Sequence, residues 1–237
     1  MTRSLITEHN LIFESRGFGR LLILLPGFGF DYRIFSCLDL PFDYLYPSGL
    51  VSPSTISNYI HSCLVDYFAG KAGSIWIMGW SMGSNIALEI YLRMPLIFSK
   101  LILISPRRCY KSEEIDKQLE LLERSPRDML EAFYRRCFLG QKLGRDWFNM
   151  HIAPVYLNTM DKEKLMDQLR YLASVEMDLS EISVEKLLVV SGKRDIIAPM
   201  DLLPILPRGT SYMVIPTAAH LPFLFEEFTE RCLMSYC

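Results

Sequence analysis

The chain has 237 residues, 50% of them hydrophobic and 22% charged, with a formal net charge of −2. That balance is of an ordinary globular protein with material for a sizeable core. Lysine and arginine are dispersed rather than massed in one block, which argues against nucleic acid or an anionic membrane as the main partner, and no apolar run approaches the roughly 20 residues of a membrane span.

In chain order, residues 10–14 read as an edge strand, 21–25 as a buried strand and 42–46 as a further strand. Residues 54–68 follow a Ser-Pro start and read as a helix. Residues 75–78 are a strand, 82–93 a helix with apolar residues at 86, 87, 90 and 91, and 101–104 a strand again. Apart from 10–14 and 42–46, these short runs are apolar throughout, which suits strands covered on both faces. From Arg107 to about Ser183 the pattern turns helical, in stretches 113–123, 126–138, 144–157 and 161–174. Strands 187–190 and 212–215 and a closing helix 221–233 complete the chain. Strands alternating with helices imply right-handed crossovers and an α/β fold, a mostly parallel central sheet with helices on both faces. The expected division is a core of 1–106 and 184–237 with a helical cap, 107–183, over the C-terminal strand ends.

Six cysteines (Cys37, Cys63, Cys109, Cys137, Cys232, Cys237) are scattered, with no CxxC pair and no histidine at metal-ligand spacing. They read as thiols in a reducing compartment, with no metal or cofactor implied. The opening ten residues lack the apolar stretch of a secretory signal, so the cytoplasm is the expected location.

The strongest local signal is Gly79-Trp80-Ser81-Met82-Gly83, placed between a strand and a helix. A bare Gly-x-Ser-x-Gly arises by chance in about one chain in ten of this length; the flanking strand and helix make chance a much poorer explanation. In that context the serine sits on a tight turn, its hydroxyl above the sheet, and the glycines leave room for neighbouring backbone. The helix start adds a positive dipole end where negative charge develops. A serine needs a base and the base an orienting acid. Asp195 ends the turn Ser191-Gly192-Lys193-Arg194, just after a strand, and His220 alone of the four histidines falls between the last strand and the last helix. Asp178 and Asp201 compete for the acid's place from the segment exit and a helix start. Two main-chain donors complete the expected site: the N–H of Met82, which follows the serine, and that of Phe28 in the loop Leu25-Pro26-Gly27-Phe28-Gly29-Phe30.

With these motifs the chain resembles the α/β-hydrolase superfamily over nearly its whole length. Within it, the Trp before the serine and the stretch Ala218-Ala219-His220-Leu221-Pro222-Phe223 are similar to the pimeloyl-acyl-carrier-protein methyl ester esterases of biotin synthesis. The resemblance implies a serine esterase that hydrolyses the methyl ester of a carrier-bound pimeloyl chain, with an acyl-carrier protein as partner. It implies Trp80 and Phe133 along the acyl channel, and lid arginines, here Arg136 and Arg145, toward the acidic carrier. Arg124, Arg127 and Arg135 add to that basic character, and Glu120, Glu123, Asp128, Glu131 and Asp146 interleave with it as on a solvated helix face. Two departures stand out: Pro26-Gly27 replaces the family's His-Gly, and Tyr46-Pro47-Ser48-Gly49 replaces its next glycine-rich turn. A carboxylesterase or thioesterase for small acyl groups, a lyase of the same fold as in menaquinone synthesis, and a non-catalytic binding protein remain the alternatives.

Overall fold

The computed structural model describes residues 2–6, 10–68 and 73–234, with the backbone alone for 2–6, 67 and 231–234. Eight strands hydrogen-bond into one sheet in the order β1-β2-β4-β3-β5-β6-β7-β8. They are β1 (Thr2–Ile6), β2 (Leu11–Ser15), β3 (Leu21–Leu25), β4 (Asp43–Pro47), β5 (Ile75–Trp80), β6 (Phe98–Ile104), β7 (Leu187–Gly192) and β8 (Ser211–Ile215). β2 pairs antiparallel with both β1 and β4, and every other pairing is parallel. All residues of β3, β4 and β7 are buried. Side chains of a strand alternate between faces, so the sheet is covered on both, as the unbroken apolar runs imply.

Two expectations at the rim need correction. Residues 10–14, read as the sheet edge, form β2, and β1 pairs outside it. Thr2-Arg3-Ser4-Leu5-Ile6 has no apolar run because an outermost strand has no neighbour on one side and tolerates polar residues. The helix expected over 54–68 is α1 (Pro53–Cys63), which widens into a π turn over Leu64–Phe68.

α2 (Met82–Arg93) follows β5 directly and packs on β5, β6 and β3. Between β6 and β7 run five helices: α3 (Ser112–Arg124), α4 (Pro126–Cys137), α5 (Lys142–His151), α6 (Ala153–Asn158) and α7 (Lys162–Ser174). The single helix expected over 144–157 is broken at Ile152, where Pro154 opens α6, since proline has no N–H to give to the preceding turn. The closing helix α8 (Glu226–Met234) starts later than expected. A short turn over Pro222–Leu224 and an extended Phe225 precede it. Among the described residues no helix is long and apolar enough to cross a membrane. Cys37, Cys63, Cys109 and Cys137 are free thiols. The Cys232 side chain, Cys237, and residues 1 and 7–9 of the opening stretch lie outside the described residues.

The parallel register sets where chemistry can occur. Leu25 pairs with Gly79, Trp80 with Ile104, and Gly192 with Ile215, so the loops after β3, β5, β6, β7 and β8 open at the same edge. Phe28, Ser81, Tyr110, Asp195 and His220 all follow those strand ends. Carboxyl ends of parallel strands are where such sheets place their sites.

Candidate active site

Ser81 has φ 56° and ψ −120°, a left-handed conformation that a side chain adopts only at a cost of order 1–3 kcal/mol. Three hydrogen bonds hold it there. Its N–H donates to Ile104 O (2.8 Å), its carbonyl accepts from Ser84 N (2.9 Å), and the Ser84 hydroxyl reaches back to Gly79 O (2.8 Å). A Cβ on Gly79 would lie 2.1 Å from Gly83 O, and one on Gly83 would lie 2.2 Å from Leu25 O. Both glycines are therefore required by close backbone approach.

The turn after β7 and the loop after β8 are joined backbone to backbone. Lys193 N donates to Ile215 O (3.0 Å) and Arg194 N to Ala218 O (2.9 Å). That pairing brings Asp195 and His220, 25 positions apart, to 2.8 Å between Oδ2 and Nδ1. On the other side of the ring, Nε2 is 2.9 Å from Ser81 Oγ. All three residues are buried. The second carboxylate oxygen of Asp195 accepts the N–H groups of Ile197 (2.8 Å) and Ala198 (2.9 Å). Burial pushes this carboxyl up, but the facing imidazole and the two amides outweigh it and hold the group below its ordinary value. An ionised Asp195 fixes Nδ1 as the protonated nitrogen, leaving Nε2 free to accept the serine proton. Asp178 and Asp201, the rival acids, are exposed and belong to no part of this chain of bonds.

Ser81 opens into a cavity of about 340 Å³, bounded by Phe28, Met129, Phe133, Leu169 and Ile197, with Arg136 and Lys117 and the carboxylates Glu113 and Glu114 also on its wall. Phe28 and Phe133 meet edge to face at 5.2 Å. Met82 is fully buried at the start of α2, and among the described residues neither its N–H nor that of Phe28 has a hydrogen-bond partner. Met82 follows Ser81 in the chain and Phe28 borders the same cavity, where amides left without partners suit an alkoxide-like oxygen.

Two residues expected at the substrate surface lie elsewhere. Trp80 is completely buried, and its indole N–H donates to His220 O at 2.7 Å, with Phe30 and Phe223 against its ring. Its ring also packs against the His220 imidazole at 5.4 Å, so Trp80 supports the catalytic histidine rather than the wall of the acyl channel. Arg145 lines a separate groove with Arg127 and Arg135, and its nearest acid is Asp146 at 3.9 Å. Arg136 alone of the two named arginines reaches the cavity of Ser81.

Other neighbours carry no expectation from the sequence. Tyr110 lines the cavity, with the Arg107 guanidinium 4.3 Å above its ring. Arg107 pairs with both oxygens of Glu114 (2.9 and 2.5 Å) and donates to Ile197 O (3.3 Å), tying the exit of β6 to the Asp195 turn. Burial pushes the Tyr110 phenol up to about 12, against the pull of Arg107, so it stays a neutral donor at working pH. Gln168, Tyr134 and Tyr156 bond the loop that carries Phe28. Gln168 has a visible signal, being a polar residue on the stripe of α7 that buries Leu165, Leu169 and Leu172. The tyrosines have none, because aromatic residues at helical spacing read as core.

No family model matches the chain. It is 31% identical over 180 residues, 69% of each chain, to the pimeloyl-(acyl-carrier protein) methyl ester esterase of Hamiltonella defensa. It is 24% identical over 269 aligned positions, 94% of this chain and 97% of the other, to the enzyme of the same description from Pectobacterium carotovorum. Among solved structures it is similar to an esterase from Exiguobacterium antarcticum (TM-score 0.76, 18% identity, 95% and 94% of the two chains). It is also similar to a thermophilic esterase from Thermogutta terrifontis (TM-score 0.71, 21% identity, 95% and 90%). At these identities the structural likeness is one of fold.

Proposed function

The chain belongs to the α/β hydrolases and, within them, to the pimeloyl-(acyl-carrier protein) methyl ester esterases, which are carboxylic ester hydrolases, and from that premise we propose that it cleaves the methyl ester of a carrier-bound pimeloyl chain through Ser81, His220 and Asp195. Ser81 Oγ attacks the ester carbonyl as His220 Nε2 takes its proton. The oxyanion settles between the Phe28 and Met82 amides. The same proton passes to the departing methoxide, methanol leaves, and an acyl-serine remains. Water, deprotonated by His220, attacks that acyl group and releases the carboxylic acid with Ser81 restored. Asp195 holds the imidazole in the tautomer both halves require.

The observation that carries this reading is the 2.9 Å contact of His220 Nε2 with Ser81 Oγ beside a cavity whose wall includes the apolar side chains of Phe28, Met129, Phe133, Leu169 and Ile197. A methylene chain gains about 0.8 kcal/mol per CH₂ buried against such a wall. In this reading residues 107–183 act as a cap, and Arg136 meets the acidic carrier at the cavity mouth. On α5, Leu143 and Met150 share a face and are 86% and 72% exposed, which suits a docking surface for the carrier close to the arginines. Arg145, set along the neighbouring groove, contributes to that docking rather than to the acyl pocket.

Steady-state kinetics on carrier-bound pimeloyl methyl ester and on p-nitrophenyl acetate test the assignment. The carrier-bound ester should have a kcat/KM at least about 100-fold higher, and Arg136→Ala should reduce that advantage several-fold while sparing the short ester. Equal specificity constants for the two substrates would contradict it.

A further inference from the structure

At the exit of β3 this chain has Pro26-Gly27, and a proline brings neither a side-chain donor nor an N–H to shape the loop. The bonds that shape it come from the helical segment instead. Tyr134 of α4 donates its hydroxyl to Gly29 O (2.8 Å). Gln168 of α7 accepts Gly29 N–H (2.9 Å) and donates to Val51 O beyond β4 (2.8 Å). Both side chains are buried, Gln168 completely. Gly29 itself has φ 70°, the left-handed region that lets its N–H and carbonyl both turn toward those helices.

The peptide planes carry this grip to Phe28. Tyr134 fixes the plane between residues 29 and 30 through the Gly29 carbonyl. The N–H of that plane belongs to Phe30 and donates to Gly27 O (3.2 Å). The Gly27 carbonyl shares its plane with the Phe28 N–H, because a peptide unit is rigid. Gln168 fixes the intervening plane, between residues 28 and 29. Three consecutive planes are thus locked, and the last group in the series is the amide that receives the oxyanion.

We propose that Tyr134 and Gln168 are positioning residues that aim the Phe28 N–H at the oxyanion, so that the helical segment sets the reaction rate as well as covering the substrate. The inference rests on the esterase reading. A displaced donor loses most of its worth in the transition state and little in the ground state, since the charge it meets exists only there.

Tyr134→Phe removes one hydroxyl and keeps the ring against Phe30, Phe148 and Tyr156, so the fold survives. Gln168→Met keeps the volume and removes both bonds. Each variant is measured for melting temperature, for kcat and KM on p-nitrophenyl acetate, and for the affinity of an alkylboronic acid, whose tetrahedral serine adduct mimics the oxyanion. The expected result is kcat lower by about 10- to 100-fold with KM within about threefold, and boronate affinity falling by the same factor as kcat/KM. Lowered melting temperature with wild-type kcat and boronate affinity would make the two residues structural only and overturn the proposal, leaving the reaction intact. A wild-type protein that turns over no ester would overturn the reading beneath it as well.

Discussion

The Ser81 turn and the 26–31 loop face each other across one cavity, yet they are held in opposite ways. Ser81 is fixed by its own neighbourhood, through Gly79, Gly83 and Ser84, with two bonds, from Ser81 N and Ser84 Oγ, to Ile104 O on the adjacent strand. The loop opposite is fixed from 105, 125 and 139 positions away, by Tyr134, Tyr156 and Gln168. A strained turn that must present a hydroxyl is best imposed by adjacent residues, which cannot drift from it. A loop that only has to aim an amide can be imposed by packing, and then it depends on the helices that do the packing. Asp195 and His220 fall between these cases, placed by backbone pairing of two turns that follow neighbouring strands.

The largest expected effect tests the side held by the sheet. Asp195→Asn keeps the shape but lets the imidazole adopt the wrong tautomer, and kcat on any ester should fall about 10⁴-fold with the protein folded. The same variant reports on stability. The Asp195 carboxyl sits below its ordinary value in the folded state, so its contribution is fully present above the unfolded value near 3.9 and is lost as pH falls through the folded one. Denaturant titrations should therefore give a wild-type minus Asn stability difference that is flat above about pH 5 and shrinks below about pH 4. A difference that grows as the pH falls would contradict the assigned direction.

A smaller effect is expected where the two regions touch. A Cβ on Gly27 would stand 3.1 Å from Ser81 Cβ and 3.4 Å from the Trp80 ring, so Gly27→Ala requires a shift of a few tenths of an ångström. If the loop is clamped by the helices, it cannot yield, and kcat should fall about tenfold, measured on p-nitrophenyl acetate. Wild-type kcat in a folded Gly27→Ala protein would mean that the loop gives way freely, which would erase the contrast between the two regions.

The contrast also explains what the sequence reveals. Strands β3, β5, β6 and β7 each contain an unbroken apolar run (21–25, 75–78, 101–104 and 187–190) because both faces are covered there, and they are legible for that reason. β1 is not, since its pattern answers to one neighbour only. Ser81, Asp195 and His220 are legible because each follows a strand end with a characteristic turn, and such turns are written in consecutive residues. Trp80 reads wrongly as a channel residue because a motif gives residue types and not the face of the strand on which each lies. Tyr134 carries no local mark, and Gln168, polar on an apolar stripe, is marked as buried without showing what it holds, because their partner is the backbone of Gly29, which any sequence would offer. Arg136 and Arg145 belong to one basic stretch, and only their placement on α4 and α5 separates one groove from the other.

A fluorophosphonate probe followed by peptide mass spectrometry tests the central assignment most directly, because phosphonylation requires a serine activated by its own base and is independent of substrate identity. The prediction is one adduct per chain, on the peptide containing Ser81, and its loss in a folded His220→Gln protein. Absence of an adduct in the wild type, or the same labelling without the imidazole, would contradict it.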